Sequence, residues 1–220
     1  MTRPITRAAT LLAVTIAAWQ PSSALAAEED TQFWLLGFAR GNLDEDVFVI
    51  VDTSLRLREP QIGPDQQTIR VTIEQGFAEN RGRIGGGFAV FETNGQTEFR
   101  PHQQLRYVRG PWDLRTRFEQ RLFPGEDRAE LRIRQRVQYT HEASEKVELI
   151  GSVKWFGIVQ ARNARRDPDG TEQVRFLVAA AVDVGGGVEI QPGYLLWYSP
   201  RAARPDGISH VPQVAVNYRF

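Results

Sequence analysis

From Thr31 onward, polar and apolar residues alternate along this chain with a period of two. Val47, Val49, Val51, Thr53, Leu55 and Leu57 interleave with Phe48, Ile50, Asp52, Ser54, Arg56 and Arg58. Ile69, Val71 and Ile73 interleave with Arg70, Thr72 and Glu74, and Leu131, Ile133, Val137 and Tyr139 with Arg132, Arg134, Arg136 and Gln138. Successive side chains of a strand point to opposite faces, so this pattern predicts strands with one apolar and one polar face. No later segment carries a helical stripe, and the expectation is an all-β domain. Eleven strand-like segments lie near 32–40, 47–58, 68–78, 83–92, 98–109, 114–122, 129–140, 147–157, 172–182, 188–198 and 211–220. Most have the roughly 9–11 residues that a tilted membrane-crossing strand requires.

The segments between them also alternate. Residues 79–82, 110–113, 141–146 and 183–187 are short; 59–67, 93–97, 123–128, 158–171 and 199–209 are mostly longer and rich in Gly, Pro and Asp. Short turns at one end and longer loops at the other are the layout of an outer-membrane barrel. The fold expected is an antiparallel up-and-down transmembrane β-barrel of 10–12 strands. An odd count conflicts with the even numbers of single-chain bacterial barrels. Either one strand is uncounted or the first segment stands outside the wall.

Alternation alone does not separate a membrane barrel from a soluble one of the lipocalin kind; the direction of the polar face does. Of 27 Lys+Arg only Lys146 and Lys154 are lysines. The planar Arg fork suits confined pairs with carboxylates better than a Lys point charge does. We therefore expect Arg56, Arg70, Arg115, Arg117, Arg132, Arg134 and Arg136 to face a lumen and to pair with Asp52, Glu74, Glu119 and Glu148. An Arg-biased composition from a GC-rich genome would explain the same count without a lumen. The opposite face suits lipid: Val174, Phe176, Val178, Ala180 and Val182 form one such row, and Val188, Ile190, Tyr194, Leu196 and Tyr198 another. Trp34, Trp112, Trp155, Tyr139, Tyr198 and Tyr218 fall near segment ends, where an interfacial girdle would sit. Gln103, Gln120 and Gln135 interrupt the apolar rows.

Composition adds the route. Arg3 and Arg7 precede an apolar run from Ala8 to Trp19, and small residues stand at Ala24 and Ala26. That order predicts a secretory signal peptide over 1–26 and a barrel over 27–220. The apolar run is too short for a transmembrane helix, which needs roughly 20 residues. Cleavage would remove two cations and no acid, leaving 25 Lys+Arg against 27 Asp+Glu. That balance does not suit nucleic acid. The chain has no cysteine, which excludes disulfides and thiolate metal sites. Mean hydropathy is −0.38, so a membrane crossing has to be made by a closed barrel.

The sharpest motif is terminal. Val214, Val216, Tyr218 and Phe220 alternate up to a final aromatic. The pattern resembles the signal read by the outer-membrane insertion machinery of Gram-negative bacteria. That machinery, with outer-membrane lipid and lipopolysaccharide, makes up the expected partners.

Several stretches resemble a family of uncharacterised Gram-negative proteins, domain of unknown function 2490, taken to be outer-membrane barrels. They are Phe33-Trp34, the run from Leu114 to Arg121 (LRTRFEQR), Leu131-Arg132-Ile133-Arg134, Gln173-Val174-Arg175-Phe176 and Gln191-Pro192-Gly193-Tyr194. The resemblance spans nearly the whole chain after residue 26, with Val174 standing where an Asn is expected. It implies a location and a fold and supplies no activity.

Catalytic chemistry has little to work with. A lipid-cleaving barrel pairs a His with a Ser two residues on. His102, His141 and His210 are followed at that spacing by Gln104, Ala143 and Pro212, and Ser209 beside His210 would face the other side. Asp44, Glu45 and Asp46 read as a solvated turn, and no cofactor or metal site is expected. Gly85–Gly87 give room to bulky neighbours or a kink, and Gly185–Gly187 make a turn. Arg162, Arg165 and Arg166 read as a solvated basic loop. Three functions follow, in this order: a structural or interaction barrel with a charge-packed lumen, a narrow passive channel or transporter, and a lipid-modifying enzyme.

Overall fold

The computed structural model describes residues 27–126, 128–163, 170–202 and 205–220. The expected signal peptide lies outside them, as do Arg165 and Arg166. Eleven strands follow one another: β1 (Glu28–Asn42), β2 (Val47–Arg58), β3 (Gln66–Phe77), β4 (Gly82–Thr93), β5 (Gln96–Arg109), β6 (Trp112–Arg121), β7 (Glu130–Ser144), β8 (Val147–Gln160), β9 (Gly170–Gly185), β10 (Val188–Ser199) and β11 (Gly207–Arg219). They close into one barrel in chain order.

Every sequential pair is antiparallel, but the closing pair is not. β1 runs parallel to β11, from Glu28 opposite Gly207 to Arg40 opposite Arg219. Parity dictates this, because ten antiparallel steps leave the first and last strands pointing the same way. All eleven segments stand in the wall. Eleven lies within the 10–12 strands expected from sequence; among the described residues there is no twelfth strand, and the first segment, which the odd count had put in question, belongs to the barrel.

The connections sort by end. Those following the odd-numbered strands β1 to β9 have two to four residues. At the opposite end they have seven to nine, except for Asn94-Gly95 between β4 and β5. Both residues of that turn have positive φ (48° and 76°), as a two-residue hairpin of the I′ type needs. Glu28 starts β1 at the long-loop end; Phe220 finishes the chain at the short-turn end.

Two glycines set how closely β3 and β4 approach. A Cβ at Gly85 or Gly87 would overlap the backbone carbonyl of Ile73 or Val71. The tight approach, rather than room for bulky side chains, is what these positions require.

The faces are inverted relative to a soluble barrel. Outward lie Ile69, Ile73, Phe88, Val153, Phe176, Val178, Ile190 and Val216, all exposed. Inward lie buried Thr72, Glu74, Arg117, Glu119, Arg132, Gln213 and Asn217. The glutamines on the apolar face satisfy one another and their neighbours: Gln120 Nε2 donates to Gln103 Oε1 (2.9 Å), and Thr116 Oγ1 donates to Gln135 Oε1 (2.9 Å). Trp34 is a correction. It is only 4% exposed and faces inward, packed with Leu177, Leu195 and Val211 at the closing seam, while Trp112, Trp155, Tyr139 and Tyr218 are exposed as a girdle would be.

A charged lumen as candidate functional site

Alternation on seven neighbouring strands, β3 to β9, brings charged side chains into one interior. Three carboxylates organise it. Glu119, 1% exposed, accepts from Arg132 Nη2 (2.6 Å) and Arg134 Nη1 (2.5 Å) and lies 3.8 Å from Arg117 Nη1. Arg132 also reaches Glu172 at 2.8 Å. Glu98 accepts from Arg121 Nε (2.7 Å) and from Arg100, and Arg121 donates onward to Glu130. Asp113 accepts from Arg106 Nη2 (2.8 Å) and from Arg136. Such charge-assisted, forked contacts fix side-chain geometry as well as adding energy.

Aromatic rings carry other guanidinium groups. Arg100 lies 3.4 Å from the Phe91 centroid and Arg83 3.4 Å from that of Phe48. Arg134 stacks on Phe156 at 4.6 Å, and Arg175 sits among Trp197 (4.1 Å), Phe156 (4.7 Å) and Trp34 (5.1 Å). Delocalised guanidinium tolerates such burial better than ammonium does.

The residues singled out from sequence are placed as follows. Arg117, Arg132, Arg134 and Glu119 form one cluster. Arg70 pairs with Asp52 at 3.5 Å, and Glu74 accepts from Gln104 and lies 4.0 Å from Arg83. Arg136 pairs with Asp113 rather than Glu119. Arg56 faces inward but meets Gln66 (2.9 Å) and the Trp34 ring (4.3 Å), with no carboxylate ion pair among the described residues. Arg115 and Glu148 line the cavity, yet neither has an ion pair among the described residues. Sharing of carboxylates by Arg115, expected from sequence, is not found.

Sequence reasoning passed over Glu98, Arg100, Arg106, Asp113, Arg121, Glu130, Glu172 and Arg175. All but Glu172 continue a polar every-second-residue row, which is the signal that would have found them. Glu172 does not: inward residues of β9 are odd-numbered, and a register shift at Phe156/Gly157 frees Glu172 to turn inward.

The long-loop end is tied at the seam. Glu28 N donates to Asp206 O (2.8 Å), and Glu28 Oε2 accepts from Arg201 Nη1 (2.5 Å). Tyr198 Oη (2.6 Å) and Arg201 N (2.9 Å) donate to Asp206, and these bonds hold its carboxyl below the usual Asp range. At the other end Phe220 N donates to Arg40 O at 3.0 Å, and Val214, Val216, Tyr218 and Phe220 lie on the outer face.

The histidines serve locally. His102 is buried, with Nε2 3.1 Å from Thr72 Oγ1; His210 meets Tyr194; His141 is exposed.

A family model described as protein of unknown function (DUF2490) matches residues 31–207. The chain belongs to this family. The DUF2490 match takes in β2 to β10 and nearly all of β1, and ends where β11 starts. Apart from Gly207, the terminal aromatic strand lies beyond the matched residues. No curated protein matches the chain.

Proposed function

We propose that this DUF2490 protein is an outer-membrane β-barrel of Gram-negative bacteria, exported through a cleaved signal over residues 1–26. It works as a structural or interaction barrel whose lumen is filled by its own charged side chains. The observation that carries the reading is the inversion of faces. A contiguous apolar exterior around a charged interior is unfavourable in water and suits a hydrocarbon surround. Closure of every strand edge satisfies the backbone where water is absent. Lipid and lipopolysaccharide would then contact the outer face, and the insertion machinery would read the β11 terminus.

The test is fractionation joined to gel mobility. The protein is expected in the outer membrane and should migrate faster unboiled than boiled. Recovery as a soluble periplasmic protein without that shift overturns the proposal. A second reading, a narrow channel, is favoured by one feature, a lumen cavity of about 510 Å³. Planar-bilayer recordings divide the two: steady conductance supports the channel, and a silent bilayer supports the filled barrel.

A further inference from the structure

The charges in the lumen do not balance. Among the described residues, fourteen arginines and one lysine line the cavity against six carboxylates. Glu98, Glu119 and Glu130, packed behind that surface, reduce the excess without removing it. Part of the surplus falls on one cross-strand row. Arg83 stands opposite Arg106, Arg106 opposite Arg115, Arg115 opposite Arg136, Arg136 opposite Lys154, and Lys154 opposite Arg175. Six adjacent strands each contribute one cation, and like charges directly opposite destabilise a sheet.

Parts of this row are compensated. Asp113 serves Arg106 and Arg136, and Glu74 lies near Arg83. Arg175 has its three rings and a bond to Gln173 Oε1 at 2.6 Å. Arg115 and Lys154 have neither. Among the described residues no carboxylate comes within 4.0 Å of either. They flank Arg136, are half-buried and line the cavity. Compositional bias toward Arg does not account for Lys154, one of two lysines in the chain.

We propose that Arg115, Arg136 and Lys154 form a binding site for a multivalent phosphoryl oxyanion. Neighbouring strands lie ~4.8 Å apart, so the outer two of the three Cα positions span ~10 Å. That suits a ligand with several phosphate oxygens and two or more charges. Two arginine forks and one ammonium match those oxygens as paired donors and a point charge. The ligand supplies the counter-charge that the wall omits, so binding stabilises the closed barrel by linkage.

The row also gives access. Arg83 stands next to Gly82 at the short-turn end, and Arg175 lies ten residues from Gly185 on β9. With strands ~4.8 Å apart and tilted by ~40°, five steps climb ~15 Å along the barrel axis. A free phosphate compound entering the lumen and a phosphorylated lipid headgroup reaching in from a rim present the same chemistry.

The site requires the closed barrel and not its location. The full barrel, refolded in an uncharged detergent, is titrated with tripolyphosphate at ionic strength held constant with sodium chloride. Saturable binding and an unfolding temperature raised beyond the chloride control are expected. Lys154→Met should unfold at a higher temperature than the unaltered chain without ligand, since one like charge is gone. It should also bind tripolyphosphate about tenfold more weakly, the weight of one hydrogen bond to a charged group. Arg115→Met provides the same comparison if the first variant does not refold, and Arg81→Gln, in an exposed turn, should change nothing. A short-chain phosphatidate in the same detergent separates the sources. Tighter binding of phosphatidate assigns a lipid headgroup, and tighter binding of tripolyphosphate a free phosphate. The proposal is overturned if tripolyphosphate does no more than chloride, or if both variants bind it as tightly as the unaltered chain. Failure to fractionate with the outer membrane would leave these results standing, and failure to bind would leave the membrane reading standing.

Discussion

Among the described residues Glu119 gathers more arginines than any other carboxylate. Arg132 and Arg134 donate to it, Arg117 approaches it, and it is almost fully buried. Glu119→Leu should therefore leave three confined cations sharing too few partners. Breaking a buried ion pair from one side costs ~3–5 kcal/mol. Val178→Leu, at a side chain 64% exposed on the outer face, should cost almost nothing. Denaturant midpoints of the refolded variants measure the difference, and equal midpoints would mean the network carries no stability. The inward direction of Glu119 was legible from period two. Its choice of Arg132 and Arg134, and the lack of any carboxylate for Arg115, were not. Partner choice depends on which strand residue falls opposite which, and a single sequence does not contain that register.

At the scale of elements, all eleven strand positions were readable, because each carries its own alternation and its own turn. What the pattern hid was local. Trp34 reads as an interfacial aromatic, yet parity on β1 sends it inward to the apolar cluster at the seam. The Gly85–Gly87 run was visible, but the approach of the Ile73 and Val71 carbonyls was not. That approach predicts a contrast. Gly87→Ala would put a methyl group into a neighbouring backbone, whereas Gly151→Ala on β8 meets nothing within 4 Å. The first variant should fail to give the compact unboiled gel band and the second should keep it. The closing strand supports a further prediction. Removing Phe220 takes away one backbone bond, to Arg40 O, and an exposed ring. Refolding into detergent should be nearly unchanged. If the terminus is a recognition tag, assembly in cells should drop sharply, and normal assembly of the truncated chain would remove that role.

The whole molecule differs from an even-stranded barrel in where its ends lie. With an even count, the first strand starts at the end of the barrel where the last one finishes. Here the parallel seam puts Glu28 among the long loops and Phe220 among the short turns. This was the least legible feature, because it follows from parity and no segment carries it. It has a consequence for orientation in a membrane. Outer-membrane barrels keep short turns on the periplasmic side and longer loops outside. Glu28 should then face the cell exterior, while Asp44 in the β1–β2 turn should face the periplasm. The chain has no cysteine, so each position can be probed alone. Glu28→Cys should react with a membrane-impermeant maleimide on intact cells. Asp44→Cys should react only after the outer membrane is opened. Labelling of both on intact cells would deny a sealed membrane between them. Labelling of Asp44→Cys alone would invert the barrel. A ten-stranded wall that left β1 out would keep the segment before β2 on the periplasmic side and protect Glu28→Cys as well.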